Sequence, residues 1–84
     1  MPYNYETERP VIFTDDGQRM FLKIRDKAQR LLHASGAFRL QEVISDCVGD
    51  SWTMLACVDR MVELNEIKEI TKDVAGQHRV FIAN

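Results

Sequence analysis

Few residues in this chain could do chemistry. Cys47, Cys57, His33 and His78 are the residue types of a four-ligand zinc site. Neither pair has the close C-x-x-C or H-x-x-x-H spacing that such a site uses, so no metal is expected. The two cysteines are expected to be reduced core residues. His78 could be drawn with Asp73 or Ser51 as a base and nucleophile. No G-x-S-x-G, G-K-[ST] or H-E-x-x-H signature fixes them in place, so the chain is expected to be no enzyme, with no catalytic residue and no cofactor. His33 is better read as a favourable charge near a helix C-terminus, and His78 as an exposed polar residue.

Charge is the remaining chemistry. The net charge of -2 gives no global attraction for nucleic acid, so contact with phosphates would need a local patch of cations. One such patch is legible: Arg19, Lys23, Lys27 and Arg30 lie within about 80° of one another on a helical projection. It reads either as a solvated face beside Asp26 or as a contact for phosphates or an acidic partner.

The elements that would position these residues follow from periodicity and turn chemistry. At 84 residues the chain is one small domain, burying about 60 to 65% of its unfolded surface, so a partner or a second copy would help its stability. Residues 1–14, with Pro2, Pro10 and the run "PVIF", are expected to form an extended arm, and 15–84 the folded domain. Thr14, Asp15 and Asp16 can cap a helix over 16–35, with Gly36 as its stop. Met20, Phe21, Ile24, Ala28, Leu31 and Leu32 share one arc and form its core face.

"AFRL" is a short strand, and "LQEVISDCVG" a second helix closed by Gly49. Asp50 or Ser51 caps a third helix whose Met54, Leu55, Val58, Met61 and Val62 face inward, ending near Asn65. Two β-rich runs, 67–72 and 78–83, flank "DVAGQ", where Asp73 and Gly76 supply a turn. The fold class expected is mainly α with a small β-hairpin, α+β. No basic leader precedes an apolar stretch and no apolar run is long enough to span a membrane, so a cytoplasmic location is expected.

Helix, short strand, helix, turn, helix and hairpin is the order of the winged helix-turn-helix domain, and the third helix carries the closer likeness. Thr53, Met54, Val58, Met61, Asn65 and Ile67 resemble the pattern of bacterial winged-helix transcriptional regulators, with Asn65 in place of the usual Gly. "FRLQEVI" is similar to the family's lead into its second helix, with Arg39 in place of a Ser or Thr cap.

The resemblance implies that the third helix enters a major groove and that the hairpin, or wing, lies beside it. It places Ser51, Trp52, Thr53, Ala56, Asp59, Arg60 and Glu63 toward DNA, with Lys72, Gln77, His78 and Arg79 on the wing. The function expected is that of a small transcription regulator or DNA-associated accessory protein. Arg39, Arg60 and the wing cations would hold phosphates, while Thr53 and Trp52 sample base edges or methyl groups.

Of these groove-facing residues only Arg60 is a usual reader of bases, and Asp59 and Glu63 would repel phosphates. The alternative is a protein-interaction module. Trp52 would be its anchor on an apolar and acidic face with Asp59 and Glu63, unless that ring packs against the domain itself. Leu22, opposite the core arc of the first helix, is a second contact point, and with the aromatic N-terminus it suggests a homodimer. No small-molecule site is evident.

Overall fold

The computed structural model describes residues 3–45, 47–71 and 78–84. Its elements run α1 (Tyr5–Ile12), α2 (Asp15–Ser35), β1 (Ala37–Arg39), α3 (Leu40–Ile44), α4 (Ser51–Glu63), β2 (Ile67–Glu69) and β3 (Val80–Ala83). The coarse class is the one expected: mainly helical, with a small antiparallel sheet.

α2 forms where its signals place it. The Thr14 hydroxyl accepts the Gly17 N–H at 3.0 Å, and the helix ends on Gly36 in the left-handed conformation at φ 79°. Phe21, Ile24 and Ala28 of its apolar arc are buried, and Met20, Leu31 and Leu32 pack at the margin. α4 starts on Asp50, whose carboxylate accepts the Trp52 N–H, and Asn65 past its end has φ 61°. Asn supplies the positive φ that Gly would otherwise supply, because its short polar side chain tolerates that region. α3 is shorter than expected, five residues ending at Ile44, so Cys47 and Val48 lie outside any helix.

β3 is the centre of the sheet, pairing antiparallel with β1 on one side and β2 on the other, in the order β1-β3-β2. "AFR" is therefore a working strand. Its Phe38 pairs opposite Phe81, with ring centroids 5.3 Å apart, and both rings are buried. Leu40, Val43, Met54, Cys57, Val58, Met61 and Ile67 complete the core between the sheet and the helices. The turn expected around Asp73 and Gly76 lies outside the described residues, as do Lys72 and Gln77.

The largest departure is at the N-terminus. Residues expected to be an extended arm form α1, capped by the Asn4 side chain accepting the Glu6 N–H at 2.9 Å. Pro10 sits within this helix, and eight residues alone would not hold a helix in water. Packing holds it instead: Ile12 is fully buried, and α1 lies across α4. The corner into α2 is tight, since a Cβ on Gly17 would meet the Val11 carbonyl oxygen at 2.0 Å. Only glycine lets the two helices approach so closely.

Candidate functional site

The outward face of α4 was the expected contact surface, and α1 covers it. Ala56, at the centre of that face, is fully buried, and Thr53 nearly so. The Thr53 hydroxyl donates to the Asp50 carboxylate at 3.1 Å, so it belongs to the helix cap. Neither residue can reach a base edge, which corrects two of the expected DNA contacts. A helical projection of α4 alone places both outward, because the element that buries them comes from elsewhere in the chain.

The two carboxylates that were expected to repel phosphates have internal partners. Asp59 accepts the Tyr3 hydroxyl at 2.7 Å and pairs with the Arg79 guanidinium at 2.7 Å. Glu63 accepts the Tyr5 hydroxyl at 2.7 Å and the Arg60 guanidinium at 2.7 Å, and Arg9 approaches it at 3.1 Å. Those bonds, from Tyr5 first and then Arg60 and Arg9, hold the Glu63 carboxyl at about 2, below its ordinary 4.5. On the other side of the bonds, burial and then Glu63 push the Tyr5 phenol up to about 12. Burial and the bond to Asp59 raise Tyr3 further still. Glu63 therefore joins α1 to α4, and Asp59 joins α4 to Tyr3 and Arg79.

Two of the expected phosphate-binding arginines are held internally, Arg60 at the α1–α4 joint and Arg79 between α4 and the sheet. Arg79 is bidentate to Glu69, at 3.0 and 2.8 Å, while also holding Asp59, and its side chain is only 16% exposed. It stacks over the Phe81 ring at 5.1 Å as well. Arg60 lies over the Phe13 ring at 5.1 Å, on the same ring that Arg9 covers. Freeing Arg79 would strand two part-buried carboxylates, at a cost of about 3 kcal/mol or more. A charge-assisted bond to a phosphate returns only about 1.5 to 3 kcal/mol. Arg79 therefore has a structural role between α4 and the sheet, which engagement of a phosphate would have to break.

What stays open on this side is modest. Ser51 is exposed at the first turn of α4, and Trp52 is 36% exposed beside it. Arg39 and Lys68 project from β1 and β2 as exposed cations, and His78 is exposed ahead of β3. Lys72 lies outside the described residues.

The basic stripe has the opposite character. Arg19 pairs with Asp16, and Arg30 with Asp26 at 2.9 Å, both as exposed pairs within α2. Two open hollows lie along this helix. One is lined by Asp16, Arg19, Met20, Lys23, Cys47 and Val48, and the next by Lys23, Lys27, Arg30, Leu31, Ala34 and Cys47. Val48 is 96% exposed, and Leu22, 59% exposed, sits opposite the core arc as expected. The early end of α3 leaves Cys47 and Val48 beside the stripe, a juxtaposition that α2 periodicity alone does not reveal.

Cys57 is fully buried and its thiol is pushed up to about 12 by that burial. The half-buried Cys47 thiol donates to the Val43 carbonyl at 3.4 Å. No helix of the described residues is long and apolar enough to cross a membrane. Comparison of the chain with protein-family models, with curated protein sequences and with solved structures finds no match.

Proposed function

We propose that the chain is a winged-helix domain that acts as a protein-docking module and carries out no catalysis. The order of elements after α1 and the sheet order β1-β3-β2 support the winged-helix reading. The single observation that carries the docking reading is the full burial of Ala56 on an α4 against which α1 packs. In a duplex reader the same surface must stay open to a groove about 12 Å wide. Here it is filled, and its arginines neutralise its own carboxylates. Duplex binding through α4 is the competing reading, and it requires α1 to leave.

Binding of a labelled mixed-sequence duplex, followed as salt is raised from a low starting value, tests this. The expected result is no saturable binding at low salt. Saturable binding that weakens steeply with salt, and is lost in an Arg39→Glu/Lys68→Glu variant, would overturn the docking reading in favour of DNA. Those two positions are exposed, so reversing their charge leaves the fold intact. Arg79→Glu would not serve, because it breaks the α4–sheet joint.

A further inference from the structure

We infer that the trough between α2 and the segment Cys47–Val48 docks an acidic, amphipathic helix of a partner protein. The inference rests on the docking-module reading and names the surface and the partner chemistry. The two hollows share Lys23 and Cys47, so they form one continuous trough along α2. From Arg19 to Arg30 it spans eleven residues of helix, about 16 Å, the length of three turns of a partner helix.

One wall of the trough is basic and its floor is apolar. Lys23 makes no ion pair or hydrogen bond among the described residues, and it stands at the point where the two hollows meet. Arg19 and Arg30 hold only exposed partners three and four residues away on their own helix. Exposed pairs of this kind contribute little to stability, so a partner carboxylate replaces them at little cost. Met20, Leu31 and Ala34 contribute apolar lining, and Val48 is an aliphatic side chain with almost no cover. Basic wall and apolar floor together complement a helix with carboxylates on one edge and aliphatic residues on the next.

A nucleic acid fits less well. Asp16 lines the trough and Asp26 interleaves the stripe, and Val48 and Leu31 offer nothing to a phosphate. A second copy of the chain is also a poor occupant, since Asp59 and Glu63 on its α4 already hold Tyr3, Arg79, Tyr5 and Arg60.

Fluorescence anisotropy with a labelled amphipathic peptide of about 15 residues tests the inference, with Glu on one edge and Leu on the adjoining face. The controls are its Lys-for-Glu and Ser-for-Leu counterparts and the labelled duplex. The expected result is saturable binding of the Glu/Leu peptide alone, weakened about tenfold or more by Lys23→Glu and by Val48→Ser. Both positions are exposed, and an unchanged thermal melt confirms that each variant folds.

Failure of the Glu/Leu peptide to saturate, or equal affinity for parent and both variants, overturns the inference. So does duplex that displaces the peptide and loses its own binding in Lys23→Glu. A concentration-dependent dimer abolished by Lys23→Glu in sedimentation would assign the trough to a second copy instead. None of these outcomes depends on Arg39 and Lys68, whose variant tests the docking reading separately.

Discussion

At the scale of single residues, positions whose neighbours lie close in the chain were legible, and positions whose neighbours lie far away were not. Thr14 as a cap, Gly36 at φ 79° and Asn65 at φ 61° follow from local backbone chemistry. The burial of Ala56 and the pairing of Asp59 and Arg79 were not legible, because they are set by elements distant in the chain. Arg79 illustrates the energetic consequence. Arg79→Ala leaves Asp59 and Glu69 part-buried without their cation and should destabilise the protein by about 3 kcal/mol, measured by urea denaturation. Glu63 gives a prediction with a sign. Its folded pKa lies at about 2 against an ordinary 4.5, so its bonds stabilise the fold fully above about pH 4.5. That stabilisation is lost as pH falls through about 2. In Glu63→Gln the melting temperature should lie below the parent's at pH 6, and the gap should close as both approach pH 2.

At the scale of elements, α2, α4 and the paired strands were readable because each carries its own periodicity and terminal signals. α1 was not. Pro10 and a sequence too short to sustain a helix alone argue for an extended arm, and the Asn4 cap, the Tyr5 and Arg9 bonds to Glu63 and Ile12 in the core reverse that outcome. Tertiary packing overrides local propensity here. The α1–α2 corner allows a direct test. Gly17→Ala would drive a methyl into the Val11 carbonyl and should destabilise the protein by about 1 to 3 kcal/mol. Because the clash acts on α1, backbone amides of 5–12 should lose hydrogen-exchange protection before those of α4. Tyr5→Phe removes one bond to Glu63 and should loosen α1, seen as faster exchange of the 5–12 amides in the same experiment.

At the scale of the whole molecule, charge is sorted by side. The α4 side joins its charges across elements in part-buried pairs, while the stripe on α2 pairs Arg19 and Arg30 only with exposed carboxylates of the same helix, beside an apolar trough. The sequence showed the stripe but not its setting, since α3 had to end at Ile44 for Val48 to stand beside it. In a molecule measuring 30 × 26 × 23 Å, those two sides are the principal surfaces with distinct chemistry.

The two thiols divide along the same line. Cys57 is sealed in the core, and Cys47 borders both hollows. A thiol-specific reagent should therefore modify one cysteine rapidly and the other at the rate of global opening, so that a single chain carries both a surface clock and an unfolding clock. Anything seated in the trough would slow the first and leave the second governed by stability alone.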